Sequence, residues 1–273
     1  MPRLPLSQHP ILHFKNKYYH HKVKKTTFPE GRTVIDMKGV NFPCDLSFGK
    51  MAKSMYCGGF DYEIKRLLLK YLKSGDTFID VGANVGYFSA VAATKIGCEG
   101  QIHAFEPVPA FFQFLQQFKD LNPQYQVVLN PCALGENPSK TKIYENRENM
   151  GGHSILKGFV GDLLEQEHEI DVIRLDDYIE DKGLENISLI KIDTEGYEYP
   201  VLLGMQRYFE KTSQRPLIIA EISPKSFAML GHELKAFEEY VTRYSYQIYA
   251  ICGCHKIDIT KIDKQTNILL LPK

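Results

Sequence analysis

The sequence predicts an α/β protein built on a doubly wound, mostly parallel sheet. Three observations predict it. From about residue 60 onward, short β-branched apolar runs alternate with helical patterns. The runs are apolar on both faces, as strands covered on both sides must be. Acids recur near the carboxyl ends of the runs, at Asp80, Glu106, Asp193 with Glu195, and Glu221, where such sheets bind ligands. Right-handed crossovers then wind helices onto both faces.

The elements follow in order. "TFIDVG" (77–82) precedes the helical "YFSAVAATKIG". "QIHAFE" (101–106) precedes "PAFFQFLQQFKDL", where Phe111, Phe112, Leu115 and Phe118 recur at helical spacing. "YQVVLN" (125–130) follows, then "ISLIKIDTEG" (187–196) with "YPVLLGMQRYF", and "RPLIIAEIS" (215–223) with "SFAMLGHELKAFEEYVTRY". "YQIYAICG" and "NILLLP" close the chain as two more strands. Residues 1–60 show weak periodicity and read as an appended basic arm or cap, leaving 61–273 as the main domain. The stretch "ENRENMGGHSILKGFVGD" (145–162) interrupts the alternation, and its Gly-Gly pair predicts a mobile loop.

Composition bounds the function. At 273 residues, 44% hydrophobic and 24% charged, with Lys+Arg and Asp+Glu both at 33, this is an ordinary globule with no global pull on nucleic acid. Charge is uneven, however: residues 1–50 carry nine Lys/Arg against Glu30, Asp36 and Asp45. Six scattered cysteines, no run long enough to span a membrane and a proline-bearing start without a signal-peptide core point to the reducing cytoplasm. "CGCH" (252–255) lacks the second ligand pair a zinc site needs, so it reads as a strand ending in a turn.

The chemistry sits at "FIDVGANVGYFSA" (78–90), a strand that stops at a glycine turn and restarts as a helix. A dinucleotide turn counted from Gly82 needs glycines at 84 and 87, but the chain has Asn84 and Tyr87. No Gly-Lys-Ser/Thr follows, which removes the P-loop reading. The turn suits S-adenosylmethionine, whose amino-acid tail carries no phosphate, with Glu106 placed to accept from both ribose hydroxyls. "FIDVGANVGYFS", "HAFEPVPAFFQFL", "CALGE", "GGHSIL", "VIRLDDYI", "LIKIDTEGYEYPVLLGM" and "PLIIAEIS" over roughly residues 70–225 resemble the FkbM-type S-adenosylmethionine-dependent methyltransferases.

That resemblance implies a class I methyltransferase fold, Rossmann-like, with a seven-stranded sheet ending in an antiparallel hairpin. It also implies methyl transfer to a hydroxyl of a small-molecule or glycan acceptor. Carried over residue by residue, the cofactor site falls on Asp80, Gly82, Asn84, Gly86 and Glu106, with Ala133 and Leu134 near the adenine. Transfer to an alcohol calls for a base, and the candidates are His153 in the Gly-Gly loop, Asp193 and Glu195. Asp193 and Glu221 resemble a pair that could hold Mg²⁺, but two carboxylates make a thin site and no metal ligand is assigned. The alternatives are an RNA 2′-O-methyltransferase, suggested by the Lys- and aromatic-bearing 13–28 segment, and a cofactor-binding protein without catalysis. Five lysines between Lys15 and Lys25 favour an anionic or lipid-linked acceptor.

Overall fold

The computed structural model describes residues 10–146, 152–159, 161, 164–251 and 255–273. Cys252 and Cys254, the first nine residues and the centre of the 145–162 stretch lie outside them.

The chain opens with α1 (Pro10–Lys25), a hairpin of β1 (Arg32–Asp36) and β2 (Asn41–Asp45), α2 (Lys50–Cys57) and α3 (Tyr62–Tyr71). Alternation then begins with β3 (Thr77–Val81), α4 (Tyr87–Ile96), β4 (Gln101–Phe105), α5 (Pro109–Asp120) and β5 (Gln126–Asn130). An insertion follows, comprising β6 (Ala133–Leu134), β7 (Ser139–Asn146), β8 (His153–Ser154) and β9 (Leu164–Ile173). The second half contains α6 (Leu175–Lys182), β10 (Ile187–Ile192), α7 (Glu198–Leu203), α8 (Gln206–Lys211), β11 (Leu217–Ile222), α9 (Pro224–Leu230), α10 (Leu234–Arg243), β12 (Tyr246–Ala250) and β13 (Thr266–Pro272).

Seven strands form the central sheet in the order β12-β13-β11-β10-β3-β4-β5. Neighbours among β11, β10, β3, β4 and β5 are parallel, and β13 runs antiparallel to both β11 and β12. This is the doubly wound, seven-stranded class I architecture, and all seven strands correspond to runs legible in the sequence. Their two-faced burial has a direct cause: in β3, Phe78 joins the core under α3, α4 and α5, while Ile79 and Val81 join the core under α6, α7, α8 and α10.

Three features differ from the linear pattern. "YPVLLGMQRYF" is two helices, because Gly204 packs where a Cβ would overlap the carbonyl of Gly135. The insertion forms its own four-stranded sheet, order β6-β9-β7-β8. Its β7 and β9 are mostly polar and are held by opposed charges such as Lys140 and Asp171, 3.4 Å apart, so no apolar period announces them. The described part of the 145–162 stretch includes β8, which pairs with β7 and buries both His153 and Ser154.

The hairpin joins the core as well. Phe42 is fully buried and meets the Tyr87 ring edge-on at 5.6 Å. Asn41 and Asn122 exchange hydrogen bonds of 2.8 and 2.7 Å, fixing the hairpin to the end of α5. Phe42→Ala should therefore lower unfolding stability by about 3–5 kcal/mol. Denaturant titration checks it, and a loss under about 1 kcal/mol would make the hairpin a peripheral attachment.

Candidate active site

The direction of winding reverses between β3 and β10, with β4 and β5 on one side and β11 on the other. At that point the carboxyl ends of adjacent strands part and leave a crevice. The end of β3 is shaped by close approach: Gly82 has φ 71°, and a Cβ there would overlap the Asp193 carbonyl oxygen beyond β10. The amides of Gly82 and Ala83 both donate to the Phe105 carbonyl, at 3.0 and 2.9 Å. Asn84 continues with φ 50°, a region Asn tolerates better than most residues, and its side chain accepts from the Val85 amide at 2.7 Å. Gly86, φ 85°, then caps α4.

A cavity of about 200 Å³ opens above this turn. Gly82, Asn84, Glu106, Ala133, Leu134, His153, Asp193 and Glu195 all line it. Asp80 and Gly86 lie behind the wall instead. Asp80 is fully buried, accepting from the Ser89 hydroxyl at 2.7 Å. Gly86 keeps Leu115 at a distance no Cβ would permit. Glu106 uses each carboxylate oxygen once, accepting from the Asn84 amide at 2.9 Å and the Val108 amide at 2.8 Å. The remaining lone pairs are available to donors in the cavity. Burial raises its pKa to about 7, with those two amides pulling the other way.

A residue with no signal in the motif reading organises the opposite wall. Lys191, buried on β10, stands 3.5 Å from Asp80 and 3.3 Å from Asp193, and donates to the Gly82 carbonyl at 3.3 Å. Desolvation opposes its charge, but the two carboxylates outweigh it and the net pKa is raised. A lysine at the fifth position of an apolar strand was the available clue, since an unpaired charge there would be prohibitive.

Beyond β10 the "DTEGYE" turn is held from inside by Glu198. One of its carboxylate oxygens accepts from the amides of Thr194 and Gly196 and from the Thr194 hydroxyl, at 2.8, 3.1 and 3.1 Å. The turn projects Asp193 and Glu195 toward Glu221 at the end of β11, and their carboxylate oxygens lie within 4.8 Å of one another. Gln265 donates to Glu221. Burial raises the Glu195 pKa to about 9, followed by repulsion from Asp193, Glu221 and Glu198; burial and Asp193 likewise raise that of Glu221. Three such oxygens could hold a hard divalent cation or share protons. Asp61, also on the cavity, is raised to about 6 by desolvation and then by Asp193.

His153 enters the cavity from β8, its ring 4.5 Å from that of Phe111. The adjacent Ser154 hydroxyl donates to the Glu195 carbonyl at 2.6 Å, tying β8 to the acidic turn. Chain-distant candidates thus share one cavity.

Residues 80–248 match the Methyltransferase FkbM domain. The chain belongs to the FkbM methyltransferase family. The match runs from within β3 to within β12 and leaves out α1, the hairpin, α2 and α3 before it and β13 after it. Methyltransferase 1 of Beauveria bassiana is 31% identical over 147 residues, spanning 48% of this chain and 59% of that protein. The hexuronic acid methyltransferase AglP of Haloferax volcanii is 27% identical over 183 residues, spanning 66% and 71%. The 31-O-demethyl-FK506 methyltransferase FkbM of Streptomyces tacrolimicus is 27% identical over 161 residues, spanning 50% and 61%.

The raised carboxylates fix a sign for stability against pH. A carboxyl that holds its proton more tightly folded than unfolded stabilises the protein at low pH, and that contribution is lost as pH rises toward its folded pKa. Glu195 and Glu221 should therefore reduce stability between about pH 5 and 9. Thermal melting across that range should show the decline, and Glu221→Gln should flatten it; an equal slope in the variant would overturn the assignment.

Proposed function

We propose that this FkbM family member transfers a methyl group from S-adenosylmethionine to a hydroxyl of a small-molecule or glycan acceptor. The observation that carries the reading is the shared cavity, with Glu106 and the Gly82 turn on one wall and the Asp193, Glu195 and Glu221 carboxylates on another. The glycine cradle and the unused lone pairs of Glu106 suit a ribose diol, and Ala133 with Leu134 offers an apolar flank to a nucleobase. When bound, the cofactor supplies an activated methyl on a positively charged sulfur. The name of the Streptomyces relative supports a small-molecule oxygen as acceptor, and that of the Haloferax relative a hexuronic acid.

The chain's own task is to orient the acceptor, exclude water and remove a proton from an alcohol. We assign that proton to the Asp193, Glu195 and Glu221 cluster. Its carboxylate oxygens converge within 4.8 Å of one another, and burial raises the pKa values of Glu195 and Glu221 above the usual carboxylate range, toward that of a general base. His153 then serves as a wall of the acceptor pocket, set by Phe111 and by the bond from Ser154 to the Glu195 turn. The carboxylates around the cavity would repel a phosphodiester backbone, which weighs against an RNA 2′-hydroxyl.

Calorimetry should show binding of S-adenosylmethionine and none of NAD. Glu106→Gln should weaken the cofactor roughly 10–100-fold, the loss of a charge-assisted hydrogen bond. Full affinity in that variant, or binding of NAD alone, would end the reading. In transfer assays with labelled methyl donor, Glu195→Gln should lower kcat by about 10²-fold or more, and activity should rise with pH as the cluster sheds its proton. A comparable loss in His153→Ala with Glu195→Gln unaffected moves the base to His153.

A further inference from the structure

The segment before the family match contains one strongly basic helix. Helix α1 spans 16 residues with five lysines, three histidines and no acid. Tyr18, His20, His21, Lys22, Lys24 and Lys25 are exposed. The helix is fixed to the body: the Tyr19 ring lies 5.4 Å from Tyr62 and so close to Gly59 that a Cβ there would collide with it. Lys22 donates to the Cys57 carbonyl at 3.2 Å and Lys65 to the next carbonyl, Gly58, at 3.0 Å. The two lysines thus share the negative end of α2. Desolvation, then the charges of Lys22 and Lys38, lowers the Lys65 pKa. Three elements therefore crowd ammonium groups together.

Directly after Gly59, Phe60 and Asp61 line the cavity, so α1 is anchored beside its wall. We propose that α1 is a docking face for an anionic phospholipid bilayer and holds the cavity near the membrane surface. Three observations select a bilayer. The exposed basic side chains His20, His21, Lys22, Lys24 and Lys25 cover about 9 Å of helix, more than one phosphate would occupy. The cavity itself is lined by carboxylates, so the positive field lies outside it, where it attracts a surface and does not draw a free anion in. Tyr18 is the one ring among the exposed large hydrophobic side chains of the described residues, whereas single-strand binders stack successive bases on several. An exposed tyrosine beside lysines suits the headgroup region, where an aromatic body and basic head groups both find partners.

Co-sedimentation of the full chain with phosphatidylcholine vesicles containing about one-third phosphatidylglycerol tests this, independently of any methyl transfer. Binding should be strong at low salt and lost as salt shortens the reach of the charges. It should be absent on pure phosphatidylcholine. Lys24→Glu with Lys25→Glu should weaken it at least about tenfold with the melting temperature unchanged. Equal pelleting with neutral vesicles, no pelleting with anionic ones, or full binding by the double variant would overturn the proposal. So would a single-stranded oligonucleotide, or inorganic phosphate at low concentration, that binds and displaces the protein from vesicles.

Discussion

A single buried ammonium sets most of the geometry at this crevice. Lys191 is taken out of water between Asp80 and Asp193, and removing such a charge from solvent costs several kcal/mol unless its partners are close and well placed. The consequence is mutual dependence. Burial pushes the Asp80 carboxyl toward its protonated form, and Lys191 with the Ser89 hydroxyl pulls the other way. Asp193 must hold its carboxylate toward Lys191 while its carbonyl lies against Gly82, which only a residue without a Cβ permits. The same lysine donates to the Gly82 carbonyl, so the ends of β3 and β10 are pinned by one side chain at the point where the sheet reverses. Asp80 is thereby a foundation of the turn; the cavity wall is Gly82, Ala83 and Asn84, the backbone that Asp80 and Lys191 support.

Each central strand was legible because its burial on both faces demands a run of apolar residues whatever its neighbours are. The insertion was not, because β7 and β9 are stabilised by cross-strand charge pairs such as Lys142 with Glu167, and alternating charges carry no signature that separates strand from loop. Helix breaks at Gly204 and Gly231 were hidden for a related reason: apolar spacing continues across them, and the breaks follow from a close backbone approach and a left-handed cap. In the site, glycines and acids at strand ends announced themselves through spacing. Lys191 did not, since its partners are 111 positions upstream and two downstream, and only the parallel pairing of β3 with β10 brings Asp80 beside it. Glu221 stood out as a strand-end acid, yet its nearness to Glu195 depends on the left-handed backbone at Glu195 itself, φ 52°, which no local pattern reveals.

The N-terminal 60 residues show where weak periodicity misleads. A two-stranded hairpin contributes few residues to a core, and here those few, Val40, Phe42 and Cys44, belong to the main core while Arg32, Val34 and Asp36 on the partner strand β1 are exposed. Such a segment has too little length for a period to emerge, but its side chains close one flank of the cavity: Phe42 supports Tyr87, Phe60 leans on the same ring, and Met51, Met55 and Phe60 reach the cavity wall. The part of the chain outside the family match is therefore built into the part inside it.

Charge is segregated by depth. Outside, α1 presents lysines and histidines to solvent; inside, Asp61, Asp193, Glu195 and Glu221 converge on a cavity whose lysine is already committed to two partners. Converging carboxylates resist ionising together in a low-dielectric cleft, and Asp61, Glu195 and Glu221 hold protons above the usual carboxylate range. A cavity in that condition favours ligands that bring positive charge or hydroxyl donors, because each replaces a proton or a like-charge repulsion with a favourable contact. A sulfonium cofactor and an alcohol acceptor meet both demands at once. The reactants proposed for this cleft would relieve the cost of crowding acids at β10 and β11, and Lys191 with Glu198 holds the backbone that brings those acids together.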